Sequence, residues 1–264
     1  MNSDADLAIS QWTLPEGGTL LERIERMIRP TLFSGTFIHS PTALVGGLQY
    51  HLGGVQDTEE LASLASVTPD DRVLDVCCFL GGPAVQLASE FGCHVTGIDI
   101  NETVIMAATR IANLTGLNHL LEFGAADARN LPFPDGRFTI LWCQGSVSHD
   151  EAWFQEFDRV LQPGGRLAIT MDTRLPPDRW SLTAIAERVA AQGYTLLNAD
   201  DLTARDIEFG WRSLDARLTE NEAMYAEALG DAWVADAHRS FAEEIGLMQA
   251  GKWGNGRIVA QKNG

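Results

Sequence analysis

The chain has 264 residues, a formal net charge of −17 and a sequence pI near 4.6. A field of that sign repels phosphate backbones and anionic lipid surfaces, so nucleic acid and membranes are not expected partners, whereas neutral or cationic small molecules are tolerated. No apolar run approaches the ~18–20 residues that a bilayer span needs. Residues 1–9 lack the basic and apolar signature of a signal peptide, so a cytoplasmic location is expected.

Hydrophobic residues make up 45% of the chain, enough for one large α/β domain or one domain with an insertion. The cysteines are Cys77, Cys78, Cys93 and Cys143. None has zinc-ligand spacing and all lie in or beside apolar runs, which predicts reduced, buried thiols and no metal site.

Residues 1–56 are mixed, with glycine pairs at 17–18, 46–47 and 53–54. An amphipathic helix is expected from Asp57, with Asp57 or Thr58 as its cap. A regular alternation follows. Strands are expected at 72–77, 93–98, 120–124, 138–143 and 166–171, and helices at 83–91, 101–114 and 151–161. Next come a helix at 182–192, a strand at 194–197 and an acidic loop at 198–201. Residues 203–249 carry helical patterns without strand signals, and a last strand is expected at 256–261. Strands alternating with helices imply a mostly parallel sheet with helices on both faces. The helical excursion between the last strands is a place for a substrate cap. The expected division is a segment 1–56 closing over the site, a core 57–173, a cap 174–252 containing one core strand, and a final strand 253–264.

The run V-L-D-V-C-C-F-L-G-G-P-A, residues 73–84, reads as strand, tight loop and helix. Gly81 and Gly82 stand where a chain must turn sharply and pass close to a ligand. Asp75 lies near the strand's end, able to organise the loop or reach an ammonium group. Asp99 ends the next strand, 24 residues on, where a carboxylate can accept hydrogen bonds from two ribose hydroxyls. Asp127 could accept from an adenine amino group, with Ala126 beside the ring and Ile100 next to Asp99. Each of these features alone is also what an ordinary turn or helix cap looks like.

Together, and followed by P-D-G-R-F-T-I-L-W and L-Q-P-G-G-R-L-A-I-T, they resemble the Rossmann-like S-adenosylmethionine-dependent methyltransferases over residues 55–172. Within these the chain is similar to the glycine, sarcosine and dimethylglycine methyltransferases and their small-molecule relatives. H-L-G-G-V-Q-D-T-E-E-L-A, W-C-Q-G-S-V-S-H-D and K-W-G-N-G-R-I-V-A-Q-K carry that likeness. The resemblance implies a seven-stranded sheet and S-adenosyl-L-methionine as cofactor. It places Asp75 and the Gly81 loop at the methionine moiety, Asp99 at the ribose, Asp127 at the adenine and Gln144 near the cofactor. Where the family loop reads D-x-G-x-G-x-G-G, this chain has Cys77 and Phe79 in place of two glycines. A negative φ with side chains turned away is expected at both.

Methyl transfer needs an acceptor lone pair held in line at ~3–3.5 Å with water excluded, and a hydroxyl acceptor gains from a general base. His149, in the loop after the fourth strand, and Tyr50, in the leading segment, are the candidate catalytic residues. His51, His149, Trp180 and Trp253 are candidates for contacting the substrate, although each also has an ordinary packing role open to it. The expected activity is methylation of a small molecule, an amine or related metabolite. The alternatives are carbon or oxygen methylation of a natural product, or cofactor binding without catalysis. A homodimer interface is the other use open to the cap.

Overall fold

The structure, a computed structural model, describes residues 41–147 and 150–264. Short apolar, β-branched runs form seven strands among these residues: β1 Arg72–Val76, β2 His94–Asp99, β3 Leu121–Ala125, β4 Phe138–Gln144, β5 Leu161–Thr173, β6 Tyr194–Asp201 and β7 Gly254–Lys262. They lie in the order β3-β2-β1-β4-β5-β7-β6, with β7 antiparallel to both of its neighbours and the other pairings parallel. The chain therefore winds outward from β1 to β3, then crosses back to start again at β4. That reversal leaves a crevice at the carboxyl ends of β1 and β4, where open α/β sheets bind ligands.

Helix α1 spans Pro41–Gly46 and α2 spans Gly54–Leu64. Helix α2 starts three residues before Asp57, behind a left-handed Gly53 without a side-chain cap. Asp57 is therefore no cap. It sits buried in the first turn, where its carboxylate meets the half-buried Arg205, nearly 150 residues further along the chain. Helices α3 Gly82–Phe91, α4 Glu102–Thr115, α5 Glu151–Val160 and α6 Leu182–Ala191 cover the sheet. Asn101, Asp150 and Ser181 cap the last three of these, each accepting from a backbone N–H of the first turn.

Alternation along the strands separates two apolar layers. One contains Val73, Ile140 and Trp142 against α2, α3 and α4. The other contains Leu74, Leu141 and Ile169 against Phe157 of α5 and Ile185 of α6. The acidic residues 198–201, expected as a loop, extend β6 along β7 instead. An edge strand carries charge without cost on its solvent side, and Asp200 gains an ion pair with Arg257 of β7 at 3.2 Å.

Between β6 and β7 the chain forms α7 Thr203–Asp206, a π-helical turn Ile207–Trp211, α8 Arg212–Glu220, α9 Glu222–Leu229 and α10 Asp231–Gln249. These helices bury a separate cluster that includes Trp211, Leu218, Tyr225, Phe241 and Met248, joined by Val45 of α1.

Candidate active site

Asp75 projects from β1 into the crevice. It is 2% exposed, and its Oδ2 has no hydrogen-bond partner. Burial, and then the nearby Asp99 carboxylate, push its carboxyl well above the ordinary range. A buried acid with an unpaired oxygen beside a second acid has the chemistry of a site for a cationic group.

The loop after β1 departs from the sequence-based expectation. Cys77 and Phe79 do not take negative φ. They stand at φ 59° and 50°, alternating with Gly81 at 78°. The loop thus keeps a glycine-type path with two L-side chains on it, at a strain of about 1 kcal/mol or more each. The backbone course is imposed from outside the loop. Cys78 N–H donates to Ile98 O at 2.9 Å and Phe79 N–H to Asp99 Oδ2 at 3.2 Å. Both glycines are also needed where protein packs against the loop. A Cβ on Gly81 would stand 2.7 Å from the Phe123 ring, and one on Gly82 would stand 2.2 Å from the Leu48 carbonyl. Gly82 therefore lets the leading segment close onto α3.

Beyond the loop, a cavity of about 220 Å³ runs along the ends of β2 and β3. Asp99, Ile100, Ala126 and Asp127 line it, as does Trp153 of α5. Trp153 had no motif to mark it in the sequence. Ile100 is 70% exposed, an apolar face open beside two carboxylates, as an adenine ring requires. Asp127 is held at a pKa of about 2 by the Arg129 guanidinium, whose Nη2 lies 2.6 Å away. Asp99 accepts from Asn101 N–H at 2.9 Å through Oδ1, which orients it toward the cavity's edge.

A narrower cavity adjoins it, enclosing about 20 Å³ between Asp75, Cys77, Phe79, Gln144, Tyr50 and His51. Tyr50 and Phe79 stack here with ring centroids 4.7 Å apart. Gln144 lines this cavity, but its amide is engaged by the protein. Its Nε2 donates to Asp57 Oδ2 at 2.9 Å, and its Oε1 accepts from Thr58 Oγ1 and Trp142 Nε1, both at 3.0 Å. Burial lowers the His51 pKa, against the pull of Asp57 3.7 Å from Nδ1. Its ring nitrogens also meet Leu52 O, Gln49 Oε1 and Thr58 Oγ1. A third space, a groove of about 260 Å³, shares Leu48 and His51 with the narrow cavity. Its walls are Leu52 and Val55 on one side and Phe209, Gly210 and Leu214 of the cap on the other.

Asp75, Asp99, Ile100, Ala126, Asp127, Gln144, Tyr50 and His51 are thus brought to one crevice. Two tryptophans are not. Trp180 lies across α5 from the cavity, lining a separate hollow with Phe154 and Arg188, and guanidinium groups of Arg179 and Arg188 sit over its ring. Trp253 packs edge-on against Trp211 and donates to Glu244 at 3.1 Å. The cap helices have no sheet beneath them and use their aromatic residues for a core of their own. His149 lies outside the described residues.

Residues 73–165 match the family described as "Methyltransferase domain". The chain is 32% identical over 185 residues to 27-O-demethylrifamycin SV methyltransferase of Amycolatopsis mediterranei, covering 69% of this chain and 66% of that protein. It is 31% identical over 140 residues to glycine/sarcosine/dimethylglycine N-methyltransferase of Actinopolyspora halophila, covering 47% of this chain and 25% of that one. The chain thus spans less than two thirds of the length of both. The fold matches the Haemonchus contortus phosphoethanolamine N-methyltransferase 2 solved with phosphomonomethylethanolamine and S-adenosylhomocysteine. The TM-score is 0.78 at 18% identity, covering 91% of this chain and 60% of that one. The sheet order, the crevice and these likenesses agree: the chain belongs to the Rossmann-like S-adenosylmethionine-dependent methyltransferases.

Proposed function

We propose that this chain transfers a methyl group from S-adenosylmethionine to a small-molecule acceptor held between the leading segment and the helical cap. The observation that carries this is the buried Asp75, its Oδ2 unpaired, in the narrow cavity that adjoins both the cavity of Asp99 and Asp127 and the apolar groove. In this reading Asp75 takes the ammonium of the methionyl group, Asp99 the ribose hydroxyls, and Ile100, Ala126, Asp127 and Trp153 the adenine. The cofactor supplies an electrophilic methyl. The chain's part is to orient the acceptor and exclude water.

The groove is wide for a glycine-sized amine and mostly apolar, which favours an acceptor with an apolar body. Tyr50 and His51 stand where its reactive end would arrive. His51, kept neutral by burial, orients that end together with Asp57. The working division is a leading segment, a core of 57–173, a cap of 174–252 and a closing strand. A cytoplasmic location, no nucleic-acid partner and a homodimer through outer cap faces complete the reading. Among the described residues, no helix is long and apolar enough to cross a membrane.

Incubation with isotopically methyl-labelled S-adenosylmethionine and a panel of amines, phenols and alicyclic alcohols, followed by mass spectrometry, tests the proposal. Label in one acceptor class supports it and names the methylated atom. Binding without label transfer to any class favours a cofactor-binding protein without catalysis.

A further inference from the structure

The family loop carries glycine where this chain has Phe79, and the backbone there keeps the left-handed course of a glycine at φ 50°. An L-residue is held in that region only when its surroundings over-determine it, and such outliers concentrate at ligand clamps. Phe79 is fixed twice over. Its N–H donates to Asp99 Oδ2 at 3.2 Å, and its ring stacks on Tyr50 with centroids 4.7 Å apart and planes tilted by 39°.

Both rings line the narrow cavity that contains the orphaned oxygen of Asp75. The remaining walls there are Leu48, His51, the thiols of Cys77 and Cys78, Pro83, the engaged amide of Gln144 and Ser146, with Asp75 the sole carboxylate among the lining residues. If Asp75 takes the ammonium, the charge one thioalkyl length further on, the sulfonium, meets no carboxylate. It meets aromatic faces, which attract cations through their quadrupole. The cavity is narrow, about 20 Å³, and the tilted ring pair forms part of its wall. Tyr50, 39% exposed, is the ring on the solvent side.

We propose that Phe79, together with Tyr50, is a specificity-determining residue of the cofactor site: the two rings flank the sulfonium and bias binding toward the charged cofactor over the neutral thioether product. This rests on reading the crevice as the S-adenosylmethionine site. The replaced glycine then has a use. The chain accepts backbone strain at residue 79 to place an aromatic face against the methyl-bearing centre.

Calorimetric titration of the full chain with S-adenosylmethionine, S-adenosylhomocysteine and sinefungin, whose ammonium stands in for the sulfonium, tests this. In Phe79→Leu, which keeps bulk and removes the π face, the affinity ratio of S-adenosylmethionine to S-adenosylhomocysteine should fall about fivefold, ~1 kcal/mol. Sinefungin should follow the charged cofactor. Phe79→Tyr should retain the wild-type ratio. Tyr50→Leu, at the solvent side, should lower it in the same direction and remains informative if Phe79→Leu misfolds. Wild-type ratios in both leucine variants would overturn the aromatic clamp while leaving the cofactor site standing. Failure of the wild-type chain to bind any of the three ligands would overturn the cofactor site, and the clamp with it.

Discussion

Arg205 Nη1, in the short helix after β6, lies 2.6 Å from Asp57 Oδ1 in the first turn of α2 and 3.1 Å from Glu60 Oε2 of the same helix, closing a separation of nearly 150 residues. The other oxygen of Asp57 accepts from Gln144 at the end of β4. One buried carboxylate thus joins the cap, the leading segment and the crevice. Arg205→Met leaves Asp57 buried, with Arg257 3.7 Å away as its remaining cation. The cost should be about 3 kcal/mol, as for breaking a buried pair from one side. Urea denaturation measures it, and an unchanged midpoint would show that the pair contributes little to holding the cap.

Asp75 gives a pH signature. Its folded-state pKa lies above the ordinary 3.8, so the folded chain binds a proton that the unfolded chain has released. Stability from this group is therefore present at low pH and declines as pH rises from the ordinary value through the raised one. An ammonium ligand reverses the preference and demands the ionised form. Wherever the free chain is protonated at Asp75, cofactor binding should release a proton and tighten as pH rises. Calorimetry in two buffers of different ionisation enthalpy reads the release directly. Identical release in Asp75→Asn would assign the proton elsewhere.

Asp99 has two tasks that one substitution removes together. Asp99→Ala should weaken S-adenosylmethionine binding by about 1.5–3 kcal/mol through lost hydrogen bonds to a charged acceptor. It also frees the N–H groups of Phe79 and Asn101. Unchanged affinity in a folded variant would sink the ribose assignment.

Cys77→Gly should be close to neutral in turnover, within a few fold. Because Cys77 sits at φ 59°, glycine relieves a strained position and offsets the packing lost with the thiol. The expected stability change lies between zero and a gain of about 1 kcal/mol. Loss of activity with cofactor binding retained would point to a chemical role for the sulfur.

Two aromatics, Trp253 beside the cap and Phe209 within it, should separate packing from recognition. Trp253→Ala removes a ring packed on Trp211 and should cost about 3 kcal/mol of stability. Phe209, 65% exposed at the groove, should cost little stability as alanine but raise KM for the acceptor several-fold. The reverse pattern would move the acceptor site away from this groove.

The sequence by itself determined the order of strands and helices, the sheet class and the places of Asp75, Asp99 and Asp127, because hydrophobic period and turn residues are local properties. Cap residues such as Asn101 were readable for the same reason, since a cap bonds within its own first turn. Tertiary structure decided the rest. Helix α2 starts at Gly54, and Asp57 is buried in its first turn because Arg205 pairs with it there, a contact no local pattern encodes. Residues 198–201 are strand because β7 offers them a ladder and Arg257 a counter-charge. Trp180 and Trp253 leave the crevice because each packs among its own neighbours. The left-handed course at Cys77 and Phe79 is set by Ile98 and Asp99 on the neighbouring strand, which override the local preference of two L-residues.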